Sequence, residues 1–100
     1  MMNAESRPLT ERERAACIED LTRYRLLLAD TKREQVFFAE CACRACRRER
    51  VVGAGPRARG AAASIKQVYM VLVAEVTMEI ECRLAGIRAL ERDLAAEVKP

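Results

Sequence analysis

Three cysteines in the pattern Cys41-x-Cys43-x-x-Cys46, set among Arg44, Arg47 and Arg48, are the residues whose types and spacing most directly suggest chemistry. Thiolates so spaced serve zinc sites and redox centres. On a helix, however, Cys43 and Cys46 share a face while Cys41 points roughly 140° or more away from both. A closed zinc site also needs a fourth ligand, and the other cysteines, Cys17 and Cys82, are remote in sequence. Structural thiols are therefore the preferred reading, with no metal site and no cofactor. Metal bridging between chains and redox sensing are its rivals. Histidine is absent from the 100 residues. That removes the commonest general base, the Ser-His and Cys-His pairs and every His-containing metal site. No catalytic residue is assigned, and an enzyme is not expected.

The run Val51-Val52-Gly53-Ala54-Gly55-Pro56-Arg57-Ala58-Arg59-Gly60 resembles a dinucleotide-binding fingerprint, and Glu75 stands near where a ribose-binding acid would fall. That motif works only between a strand and a helix of a parallel sheet. Here Val51-Val52 is too short a strand, and too little chain remains to build the sheet. A Gly/Pro connector accounts for the same residues.

Charge is distributed unevenly. Residues 44–66 hold Arg44, Arg47, Arg48, Arg50, Arg57, Arg59 and Lys66 against a single Glu49, a net +6. The remainder holds 11 basic and 14 acidic residues, a net −3, so the overall +3 hides the contrast. These seven cations are the candidate anion-binding residues, suited to a nucleic-acid backbone or an acidic protein surface. With no aromatic residue in the segment, base stacking is unavailable and contact would be backbone-directed and salt-sensitive. A solvated loop is the plain alternative.

The elements that must carry these groups follow from periodicity and punctuation. Thr10 with Glu13 three residues on forms a capping box. From there Cys17/Ile18, Leu21, Tyr24, Leu28, Thr31, Gln35, Phe38, Ala42 and Ala45 recur at steps of three and four, the stripe of a long amphipathic helix. Gly53, Gly55, Pro56 and Gly60 concentrate the breakers in one place. Beyond them Tyr69, Val73, Val76, Ile80, Leu84, Ile87, Leu90, Leu94 and Val98 form a second stripe. A strand competes there: Val68–Val73 is rich in β-branched residues, and Ala74, Val76, Met78, Ile80 and Cys82 alternate with Glu75, Thr77, Glu79 and Glu81. Helix is preferred, because a lone strand would have no partner. The expected fold is all-α, one domain over 1–100. It is a long antiparallel hairpin with helices at about 10–50 and 62–98 around a loop at about 51–61. Centring the turn near Pro56 pairs residue i with about 112 − i, which also sets Arg33 opposite Glu79. Tyr24, Thr31 and Gln35, which interrupt the stripe, are read as register determinants rather than as the lining of a pocket.

Such a hairpin buries one seam, while the chain is 51% hydrophobic. Leu26, Leu27, Val36, Phe37, Met70, Val71, Leu72 and Met78 lie partly off it, and exposed apolar surface of that kind marks a partner site. Completion of a bundle, by a second copy or by a helical protein partner, is therefore expected. Leu21, Leu28, Phe37, Phe38, Leu72, Val76, Ile80, Ile87 and Leu94 are the candidate interface residues. No small-molecule substrate and no membrane partner are expected. Residues 1–13 lack the apolar core of a signal peptide, and five cysteines, an odd count, do not suit a secreted disulfide framework. An intracellular chain, cytoplasmic or nuclear, is expected. It would work as a non-enzymatic interaction module (adaptor, cochaperone or assembly subunit), with nucleic-acid or polyanion binding as the alternative.

Overall fold

A computed structural model describes residues 8–96, which form two helices, α1 (Glu11–Glu49) and α2 (Pro56–Ala96), packed against each other as an all-α antiparallel hairpin. Its extents are 70 × 26 × 18 Å. The Thr10 hydroxyl accepts from the Glu13 N–H at 3.1 Å, and the Glu13 carboxylate accepts from the Thr10 N–H at 3.4 Å. The capping box thus satisfies two donors that the first turn would otherwise leave open. At the other end Arg47 and Arg48 occupy the last turn, where cations oppose the negative end of the helix dipole.

The loop is tighter than the sequence suggests. The second helix starts at Pro56 rather than near 62, so Arg57, Arg59 and Gly60 are helical, and the connection shrinks to residues 50–55. Proline suits a first helical position because its missing N–H has no partner to lose there, and the Gly55 carbonyl accepts from the Arg59 N–H at 3.0 Å. Gly53 makes the reversal with φ +86°, a conformation that costs other residues about 1–2 kcal/mol. At the far end, Val98 lies outside the described residues.

One seam joins the helices. Its α2 side runs Ala62, Lys66, Tyr69, Val73, Val76, Ile80, Arg83, Ile87, Leu90 and Leu94, all buried or half-buried at steps of three and four. Opposite stand Cys17, Leu21, Leu28, Thr31, Gln35, Phe38, Ala42 and Ala45, also withdrawn from solvent. This is the spacing of a two-stranded coiled coil. Among the described residues no side chain is less than 2% exposed, since two helices shield each other on one side only. Small residues bring the helices together near the turn, with Ala45 and Ala62 only 3% and 5% exposed. Aromatics follow, with the Phe38 and Tyr69 rings 6.2 Å apart. Midway the seam turns polar: Gln35 Nε2 donates to Thr77 Oγ1 at 2.9 Å, and Arg83 Nε donates to Thr31 Oγ1 at 3.1 Å. Gln35–Thr77 obeys the expected 112 − i register, and Thr31–Arg83, Arg25–Glu91 and Glu49–Lys66 fall within a few residues of it.

Two expectations are corrected or resolved. Arg33 does not meet Glu79; it pairs with Asp30 at 2.6 Å, and Glu79 takes Arg83 at 2.5 Å. Partners three or four residues along the same helix are within reach without crossing the seam. The alternation over residues 74–82 is not a strand. Val76 and Ile80 face the seam while Ala74, Met78 and Cys82 are exposed, so the apparent period of two comes from one helix carrying apolar residues on two faces.

Gly86 does not break α2. A Cβ there would meet only the Tyr24 ring, at 3.8 Å from Cε1 and 3.9 Å from Cζ, an ordinary contact. Gly86→Ala is therefore expected to stabilise the hairpin by about 1 kcal/mol through helix propensity, read as a higher melting temperature by circular dichroism.

Candidate functional site: the basic tip and its groove

The turn gathers the last turns of α1 and the first turns of α2, and with them the seven candidate anion-binding cations. Lys66 is engaged: its Nζ donates to Glu49 Oε2 at 2.6 Å. That hydrogen bond holds the Lys66 pKa above the ordinary value of 10.5, against a smaller opposing effect of desolvation. A pKa raised by folding stabilises the fold below the unfolded value, and that support is lost as pH rises through the folded one. Replacing Lys66 with Met should thus leave the slope of stability against pH unchanged from neutrality up to about that value, and alter it only above. Thermal melts across the alkaline range test this.

Glu49 is the tip's only carboxylate. Among the described residues, Arg44, Arg47, Arg48, Arg50, Arg57 and Arg59 make no ion pair; in the arms Arg23, Arg25, Arg33 and Arg83 do, while Arg12, Arg88 and Arg92 do not. Arg57 and Arg59 also stand in the first turns of α2, which has no acidic residue in its first turn. Positive charge is unfavourable there because the N-terminal end of the helix dipole is itself positive. All six guanidinium-bearing residues are exposed.

Beneath the tip a groove of about 640 Å³ opens along one side of the seam. Cys41, Arg44, Ala45 and Arg48 of α1 form one wall, and Ile65, Val68, Tyr69 and Leu72 of α2 the other. Cys41 and Ala45 are buried at its floor, while Ile65 and Val68 are 43% and 58% exposed. Arg44 Nη2 lies 3.1 Å from Cys41 Sγ, to which it donates. An apolar floor with two cations on one rim can receive an apolar surface that carries carboxylates along one edge.

The cysteines do not gather. Cys41 is buried, Cys46 and Cys17 are half-buried, and Cys43 and Cys82 are exposed; all five are free. Among the described residues no three His, Cys, Asp or Glu side chains are placed to hold a metal ion.

The nine candidate interface residues divide by burial. Leu21, Val76, Ile80 and Ile87 lie buried within the hairpin's own seam; Leu28, Phe38, Leu72 and Leu94 are half-buried; Phe37 alone is exposed, at 53%. Exposed large apolar residues outside those nine include Ile18, Leu26, Leu27, Val36, Ile65, Val68, Met70, Val71 and Met78. Ile65 and Val68 were not singled out from the sequence as off-seam residues. The signal that marks them is the doubled apolar period of α2, which resembles a strand when read in isolation.

Fold and surface define a class: a two-helix antiparallel hairpin with a basic tip and an open apolar flank. No helix among the described residues is long and apolar enough to cross a membrane. No family model matches the chain, and neither a curated protein nor a solved structure matches it.

Proposed function

We propose that this chain is a non-enzymatic protein–protein interaction module, a hairpin that completes its core by packing against a further helical surface. One observation carries the reading: with no side chain fully buried among the described residues, Leu26, Val36, Phe37, Val68, Val71 and Met78 are left more than half exposed. Burying such surface is worth about 25 cal/mol per Å², so association is the favoured way to remove it from water. Five free thiols fit work in a reducing, intracellular compartment. Light scattering on the full chain at micromolar concentration, with analysis of co-purifying protein, tests the reading. A mass above the monomer or a stoichiometric partner supports it. A helical monomer without a partner rules it out.

A second reading is favoured by the six tip arginines that no carboxylate neutralises. On that reading the tip binds a polyanion such as a nucleic-acid backbone. Replacing Arg47, Arg48, Arg57 and Arg59 with Ala should then abolish binding to a labelled oligonucleotide and leave helicity unchanged. Affinity should also fall steeply between 50 and 200 mM salt, as counterion release requires. Binding indifferent to salt would contradict it.

A further inference from the structure

We propose that the groove beneath the tip receives α2 of a second copy of this chain, with the two α2 helices antiparallel about a two-fold axis near Val71 and Leu72. The proposal rests on the interaction-module reading and names its partner.

The second copy is indicated by complementarity carried within one sequence. Val68, Val71, Glu75, Met78, Cys82 and Ala85 recur at steps of three, four, three, four and three, and every one of them is exposed. They form a second heptad stripe on α2, which shares Val68 with the groove wall and stands apart from the seam. Between residues 67 and 82 the only charges are Glu75, Glu79 and Glu81, all acidic. Among the described residues Glu75 has no partner, and Glu79 has only Arg83 of its own helix. The groove offers the opposite charge at the same interval. Arg44 and Arg48 are four residues apart on its rim, about 6 Å along the axis at 1.5 Å per residue, and Glu75 and Glu79 repeat that interval.

Direction and level also agree. Because α1 runs antiparallel to its own α2, it runs parallel to the α2 of a copy docked antiparallel. By the hairpin register, Arg44 is level with Val68 and Arg48 with Ser64. An axis between Val71 and Leu72 brings Val68 level with Glu75 of the second copy, and Ser64 level with Glu79 of the second copy. Arg44 and Arg48 then stand beside Glu75 and Glu79 in order. Two-fold symmetry makes each contact twice and closes the assembly at two chains. Both grooves are filled, and Val68 and Glu75 of each outer stripe come level across the axis.

A charge exchange on the full-length chain tests this. Arg44→Glu with Arg48→Glu makes one variant, and Glu75→Arg with Glu79→Arg the other. All four side chains are exposed, so circular dichroism should show both variants helical. The wild-type chain should sediment as a dimer. Each variant alone should dimerise more weakly, on the order of 100-fold, because it opposes like charges at both contacts. An equimolar mixture should recover a one-to-one heterodimer, since opposite charges then meet at both. A wild-type dimer that neither variant weakens, or a mixture that stays monomeric, overturns this interface and leaves the interaction-module reading standing. A wild-type monomer bound to a different protein does the same. A wild-type monomer with no partner overturns both.

Discussion

Val76→Asp is expected to unfold the hairpin, whereas the same replacement at Met78, two residues further along α2, leaves it folded. Val76 is 6% exposed and Met78 68%. The first change forfeits about 1.5–2 kcal/mol of apolar burial. It also places a carboxylate where the flanking seam residues, Val73 and Ile80, offer no cation, so the group is buried unpaired or takes up a proton at a cost of several kcal/mol. A chain of this size with one narrow seam has only about 5 kcal/mol to lose. Far-UV circular dichroism at neutral pH should therefore show loss of most helical signal for Val76→Asp. For Met78→Asp the spectrum should match wild type, and the effect should appear instead as weaker association. A folded Val76→Asp chain would mean that the seam is not what holds the helices together.

The second large effect is expected in the polar middle of the seam, and it depends on how many partners are removed. Thr31 is 4% exposed; it donates to the Leu27 carbonyl at 2.7 Å and accepts from Arg83 Nε at 3.1 Å. Thr31→Val keeps the shape but strips a charged donor of its acceptor, and should cost about 1–3 kcal/mol. Gln35→Leu combined with Thr77→Val removes both members of the other pair, and should be close to neutral or stabilising for the same reason. Urea midpoints measure both. The double variant should also lose uniqueness of register, because an apolar layer tolerates a slip by one heptad that a hydrogen-bonded layer resists. Broader or doubled amide resonances at residues 28–38 would report that slip. A single sharp set would assign register to the turn instead.

Much of this architecture was legible in advance from local chemistry. The start of α1 was readable in Thr10 and Glu13, because a capping box is made by residues three apart and needs no tertiary context. The antiparallel pairing followed from where the breakers lie, and Gln35–Thr77 falls on the register that a turn near Pro56 implies. The tip charge was likewise a matter of counting. Less legible was the length of the loop. Gly60 and Pro56 read as punctuation, yet Pro56 is compatible with a first helical turn and Gly60 is tolerated just inside it. The alternation at 74–82 offered a competing strand for a related reason, although helix was the preferred reading. Periodicity assigns a helix only when one face is apolar, and α2 carries two.

Composition and spacing alone exclude histidine chemistry, concentrate positive charge between residues 44 and 66, and specify two long helices. These depend on residue identity and on neighbours within a turn or two. Only tertiary packing divides the apolar residues into those the hairpin consumes, such as Val76 and Ile80, and those left exposed, such as Val68 and Met78. The same packing decides which arginines find carboxylates. Both divisions depend on what stands across the seam, and a helix's own sequence does not say which of two apolar faces its neighbour will cover. Side by side across the groove, Arg44 and Arg48 with Ile65, Val68 and Leu72 become a surface that neither helix possesses alone.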